Sequence, residues 1–99
     1  MKISIENGDP VVARLEGRLD TAAAVEITPD FQALAEQAAG HIVLDCTDLV
    51  YISSSGLRLF LSLRKASAAK GGKLQVRNIS NDIRQVFMMT GFISLFEII

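Results

Sequence analysis

Tyr51-Ile52-Ser53-Ser54-Ser55-Gly56-Leu57-Arg58 is the stretch that decides how this 99-residue chain is read, because three hydroxyls and a glycine stand where a strand gives way to a helix. Downstream, Leu57, Leu59, Phe60, Leu61 and Leu63 are apolar, while Arg58, Ser62 and Lys65 recur at i, i+4 and i+7. That is the period of a helix with one narrow wet stripe. The serines therefore lie at a helix N-terminus. There the first backbone N–H groups lack intrahelical partners and the macrodipole places partial positive charge, so an anion such as phosphate is accepted more readily than elsewhere.

Working outward from this helix, the upstream run Ile42-Val43-Leu44 is continuously apolar, the pattern of a central strand covered on both faces. Near the start, Ile3 and Ile5 alternate with polar neighbours, Asn7-Gly8-Asp9-Pro10 forms a turn, and Val11, Val12, Ala13 and Leu15 form a second strand, giving a hairpin that Gly17 ends or bulges. Asp20 and Thr21 then open an alanine-rich segment. Thr28-Pro29-Asp30 interrupts it with a second set of start signals, which predicts a helix in two parts, the firmer from Pro29 to about Ala39, stopped by Gly40.

Beyond the serine helix, Lys70-Gly71-Gly72 is a helix stop followed by a tight turn, and Leu74 and Val76 alternate as a strand. Ser80-Asn81-Asp82 caps a third helix carrying Ile83, Val86 and Phe87; Gly91 closes it, and Phe92 to Ile99 supply a last extended segment. The order β-β-α-β-α-β-α-β predicts an α/β fold with a mostly parallel, mixed sheet of about five strands and helical cover. With 49% hydrophobic residues over 99 positions, the chain supports one core and one domain, residues 1–99.

Chain direction then does functional work. Parallel strands joined by crossover helices share one C-terminal edge, where sites in open α/β folds gather. Asp20, Ser54 and Ser80 each follow a strand and are expected on one rim.

Composition excludes several function classes. Ten basic residues against eleven acidic ones give a formal charge of −1 with no one-sided cluster, so nucleic acid is not an expected partner. The single cysteine, Cys46, rules out an internal disulfide and a cysteine-based zinc site, and fits a reducing cytoplasm; it is expected to be packed rather than reactive. The start lacks the apolar core of a signal peptide, and no segment approaches the ~20 apolar residues of a membrane span, so direct membrane insertion is not expected.

Catalysis is not expected either. Ser-Ser-Ser-Gly lacks the preceding glycine of a G-x-S-x-G elbow, there is no G-x-x-x-x-G-K-[ST] loop, and no cofactor is implied. His41, the lone histidine, is predicted at the opposite end of its strand from the serines, as a surface or edge residue. Met88 and Met89 are expected mostly at the core or its rim, an exposed pair serving an adaptable contact being the other use. For the serines themselves, a helix cap is the plain structural use, but one cap needs one serine, and three leave hydroxyls to spare. Asp20 has the same double reading, as a cap and as a contact residue.

Five stretches in this order carry a family resemblance: Leu15-Glu16-Gly17-Arg18-Leu19-Asp20, His41-Ile42-Val43-Leu44-Asp45, Tyr51 to Leu57, Lys70-Gly71-Gly72-Lys73-Leu74 and Met89-Thr90-Gly91-Phe92. From Met1 to Ile99 the chain resembles a STAS domain of the bacterial anti-sigma factor antagonists. The resemblance implies a protein that binds an anti-sigma factor, typically also a serine protein kinase, and is released by phosphorylation of the serine matched by Ser54. Ser53 stands where well-known members have aspartate, although other members carry serine there. The implied partner-binding set is Asp20, Thr21, Ser53, Ser54, Ser55, Gly56, Arg58 and Ser62. STAS domains also serve as accessory subunits of lipid-transporting ABC systems, and the serine loop would equally suit a module that senses a nucleotide or other anion.

Overall fold

The computed structural model describes all residues, Met1–Ile99. The elements are β1 Lys2–Glu6, β2 Val11–Leu19, α1 Thr21–Glu36, β3 His41–Ile52, α2 Ser54–Lys70, β4 Lys73–Arg77, α3 Asn81–Thr90, a short 3-10 turn Phe92–Ser94, and β5 Glu97–Ile98. They build one five-stranded sheet in the order β1-β2-β3-β4-β5. The β1–β2 hairpin is antiparallel and every other pairing is parallel, so the sheet is mixed, as the sequence pattern predicts.

All three helices pack on one face. Ala13 and Leu15 of β2, Ile42, Leu44 and Cys46 of β3, and Val76 of β4 join a single apolar cluster with residues from α1, α2 and α3. Phe60 of α2 is its centre, stacked on Phe31 at 5.9 Å and edge-on to Phe87 and Phe96, both at 6.2 Å. Such aromatic contacts add to the apolar area removed from water. The expected cover on both faces of β3 is not present. Val43 and Asp45 are buried on the opposite face, where His41, Gln75 and Glu97 hydrogen-bond in a row across β3, β4 and β5 and Asp45 pairs with Arg14 and Arg77.

Two other expectations are corrected. The alanine-rich segment is one continuous helix, α1, with Pro29 inside it, and it ends at Glu36 rather than near Ala39. Ala24, Ile27, Phe31 and Leu34 keep one buried face through the proline, and Pro29 itself is exposed. The one backbone bond that proline removes is therefore lost on the wet side, and core burial outweighs it. The apolar tail is mostly not extended: it makes the 3-10 turn, and only Glu97–Ile98 pair with β4.

β3 is the element that positions the site. Its pairing with β4 runs only from His41↔Lys73 to Asp45↔Arg77, and it continues from Cys46 to Ile52 beside β2 alone. Two register shifts against β2, between Arg14 and Glu16 and between Gly17 and Arg18, each insert an extra residue in β3. Each bulge turns the alternation from two to three, so Cys46, Leu49 and Ile52 all reach the core.

Candidate functional site

Leu19 and Ile52 are register partners at the parallel ends of β2 and β3. The chain leaving each strand turns into a helix through one extended residue. Asp20 caps α1, its Oδ1 accepting from the Ala23 N–H at 2.8 Å; Ser53 caps α2, its Oγ accepting from the Gly56 N–H at 3.2 Å. The Ser53 N–H donates to the Leu19 carbonyl at 2.8 Å and ties the two loops together. Two helix N-termini thus open side by side on one rim, and their unpaired N–H groups give it a positive potential.

This geometry divides the three serines. Ser53 is the cap. Ser54 is exposed and Ser55 half-buried, so the hydroxyl at Ser54 is not consumed in holding the helix. Ser54, Arg58 and Ser62 follow one another at four-residue steps along α2 and are all exposed, forming a polar stripe that starts at the rim. Thr21 is exposed at the first position of α1.

Gly56 plays a different part from the one expected. It is buried beneath the loop and offers no docking surface. A Cβ there would lie 2.7 Å from Leu19 Cγ and 2.9 Å from Ile52 Cγ1, so glycine alone lets the first turn of α2 sit this low on the strand ends. Ser80 shares no hydrogen bond with the residues of this rim. It caps α3 through the Ile83 N–H at 3.2 Å, but the strand before it stops level with Asp45. β3 runs on for seven further residues, which with two bulges carry it as far as five positions of β2, roughly 17 Å. The edge is stepped, and Asp20 shares its upper step with the serines.

The structure adds two residues that sequence reasoning did not assign. Arg18 and Tyr51 are register partners, and the guanidinium carbon lies 4.3 Å from the ring centroid, a cation–π contact. Tyr51 remains 40% exposed beside Val50 at 60%. The signal was present: Arg18 stands two residues before the cap Asp20, and Tyr51 two before the cap Ser53. It becomes meaningful only once β2 and β3 are known to be in parallel register.

A second polar cluster lies on the open face of the sheet. Asp45 sits between Arg77, at 3.0 Å, and Arg14, at 3.6 Å. Its Oδ1 accepts from the Thr47 hydroxyl at 2.6 Å and the Thr47 N–H at 3.0 Å. Burial pushes this carboxyl up, but the hydrogen bonds from Thr47 and Arg77 and the Arg77 charge prevail and hold it below its ordinary value. The largest surface depression, about 270 Å³, lies here, lined by Arg14, Leu15, Glu16, Asp45, Thr47 and Asp48. Every side-chain oxygen and nitrogen buried in the protein has a partner.

The remaining candidates fall away from the rim. His41, at the far end of β3 from Ser54, is half-buried and shares a 2.6 Å hydrogen bond with Gln75 Oε1. Cys46 is fully buried, and burial followed by the Asp45 charge pushes its thiol up to about 12, which makes it a packed side chain. Met88 and Met89 are not in the core: they are 61% and 86% exposed on α3.

The fold and this rim find their counterparts in known proteins. The STAS domain family matches residues 2–99. The chain is 31% identical, over 99% of its length and 85% of that protein's, to BtrV of Bordetella bronchiseptica, which bears the name of an anti-sigma factor antagonist. It is 27% identical, over 94% of its length and 84% of that protein's, to the anti-sigma-B factor antagonist of Bacillus subtilis. Among solved structures it resembles the Bacillus cell-fate determinant SpoIIAA in its phosphorylated form, with a TM-score of 0.74 and 27% identity over 99% of this chain and 91% of that one. The unphosphorylated form of SpoIIAA, an anti-sigma factor antagonist, gives a TM-score of 0.76 with 26% identity over 99% and 87%.

Proposed function

The chain belongs to the STAS domain family, and on that premise we propose that it is an anti-sigma factor antagonist, a binding module rather than an enzyme. While Ser54 is unmodified, the rim of Asp20, Thr21 and Ser53 to Ser55, with the Arg58–Ser62 stripe, docks an anti-sigma factor that is also a serine protein kinase. Phosphorylation of Ser54 ends the docking. The setting we propose is the cytoplasm, and no helix is long and apolar enough to cross a membrane.

The observation that carries this reading is the division of labour between neighbours: Ser53 holds the helix, and Ser54 stands exposed beside it with its hydroxyl free for transfer. A phosphoserine there brings about −1.5 to −2 charge to a helix N-terminus, which suits its own protein. The cost falls on the partner. A surface complementary to a neutral loop would have to desolvate a dianion, and mismatched charge at an interface costs several kcal/mol. Nearly equal likeness to SpoIIAA in both phosphorylation states supports a switch that leaves the sheet in place.

The test is incubation with ATP and the cognate anti-sigma factor, followed by affinity measurement. The expected outcome is phosphate on Ser54, none on the Ser54→Ala protein, and binding at least ~100-fold weaker for the phosphorylated form, a loss of several kcal/mol. A Ser54 that stays bare, or a phosphorylated form that binds as tightly as the native one, overturns the proposal.

A further inference from the structure

Arg58 stands one turn below Ser54 on the same exposed stripe of α2. Residues at this spacing have Cβ atoms about 5–6 Å apart, and the order matters, because an anion N-terminal to a cation at i, i+4 is the favourable arrangement. Arg58 is uncommitted. The ion pairs of the molecule join Arg14 and Arg77 to Asp45 on the other face of the sheet, and Arg18 lies over Tyr51. Ser54, in contrast, is held in place, since Gly56 seats its turn against Leu19 and Ile52 and Ser53 caps it. The helix N-terminus meets a phosphate on Ser54 with its fixed N–H groups, and any further accommodation must come from a side chain that can move rather than from the loop.

We propose that Arg58 is the intramolecular receptor for a phosphate on Ser54, its guanidinium folding back one turn to grip the phosphate oxygens. The inference rests on the phosphorylation of Ser54 put forward above. Guanidinium is suited to this, because its planar fork presents paired N–H donors to phosphate, whereas an ammonium acts as a point charge. Modification then does two things at one place: it adds a dianion to the rim and withdraws the free cation from the stripe that the partner would meet. Arg58 is thus a positioning residue for the modified state, and a partner whose surface offers a carboxylate to Arg58 loses that contact in the same event.

The test needs no kinase. Phosphoserine is installed at position 54 by genetic encoding in otherwise wild-type, Arg58→Lys and Arg58→Ala proteins, each checked for a native amide spectrum. The 31P resonance is titrated with pH and the Arg58 Nε–H signal is followed. In the wild type the phosphate midpoint is expected roughly 0.3–0.7 pH unit below that of Arg58→Ala, with Arg58→Lys between them and the Arg58 Nε–H signal shifted on phosphorylation. Asp20 and Arg18 are the other charges at this rim, and Asp20→Asn should lower the midpoint equally with and without Arg58. Identical midpoints for wild type and Arg58→Ala, or an Arg58 signal indifferent to the phosphate, overturn the pairing while leaving the proposed function standing. Failure of the cognate kinase to modify Ser54 would sink the proposed function and leave the pairing measurement intact.

Discussion

Two polar regions of this molecule are built from the same kinds of residue and put to opposite ends. Around Asp45 the carboxylate is buried and engaged by Thr47, Arg77 and Arg14. At the rim, Ser54, Arg58 and Ser62 face solvent with their side chains uncommitted, while the backbone beneath them is fixed by two caps and an inter-loop hydrogen bond. The first region spends its polarity on covering an open sheet face. The second keeps its polarity available and uses only backbone and small residues for rigidity, which suits the docking role proposed for it, because a preorganised surface has little ordering left to lose on binding.

The largest expected break in that comparison comes from a residue that belongs to neither surface. Gly56→Ala places a methyl group where Leu19 Cγ and Ile52 Cγ1 would lie at 2.7 and 2.9 Å. The first is a branch carbon and the second an internal methylene of buried side chains, not flexible ends, so the first turn of α2 must lift. Overpacking of this kind costs roughly 1–3 kcal/mol, a fall in melting temperature of about 4–8 °C per kcal/mol for a domain this size. Calorimetry reads that loss, and partner affinity should fall with it because the whole serine loop moves. A variant as stable as the wild type with unchanged affinity would mean the loop's height is not set by glycine.

Asp45→Asn is the next test and should separate the two regions. Removing the charge leaves Arg14 and Arg77 without their partner, but both are partly exposed, at 58% and 33% of their side chains. The expected loss is accordingly about 1–2 kcal/mol rather than the larger cost of breaking a fully buried pair, with partner affinity unchanged. The pH dependence has a definite sign. The folded carboxyl lies below its ordinary value, so its stabilisation is fully present above the unfolded value of about 3.9 and is lost as pH falls through the folded one. Denaturation curves of wild type and Asp45→Asn should therefore converge on acidification below about pH 4. A gap that widens in acid would contradict the assignment.

These tests bear on what the chain made legible. The helix starts at Ser53 and Ser80, the stops at Gly71 and Gly91, and the order of strands and helices along the chain were readable because caps and glycines act over three or four residues. That a strand ends at the serines was readable as well, but its unbroken course from Asp45 to Ile52 was not, since two bulges space Cys46, Leu49 and Ile52 by three and erase the alternation that marks a strand. The continuity of α1 through Pro29 was hidden because a local breaker lost to a buried face that only the assembled core supplies. Cover by helices on one face only was likewise invisible: Ile42-Val43-Leu44 is apolar throughout, and Val43 lies between Val12 and Gln75 on the face without helices, a neighbourhood assembled from separate strands. At the site, the serines and Asp20 were legible as residues, but which serine is the cap and which is free required the geometry.

That last point gives the smallest effect and the sharpest contrast. Ser53→Ala removes the oxygen that accepts the Gly56 N–H and should cost about 1 kcal/mol of stability, the usual worth of an N-cap. Ser54→Ala removes a hydroxyl that holds nothing in the fold and sits at the first position of a helix, where alanine is well tolerated, so its stability should lie within about 0.5 kcal/mol of the wild type. Binding should rank the pair the other way round under kinase and ATP. Ser54→Ala stays bound because it cannot be modified, while Ser53→Ala is still phosphorylated and still released. Two adjacent identical residues would then carry separable roles, one measured by melting and the other by release. Equal melting temperatures for the two variants would assign the cap elsewhere, and with it would go the argument that Ser54 is the hydroxyl left free.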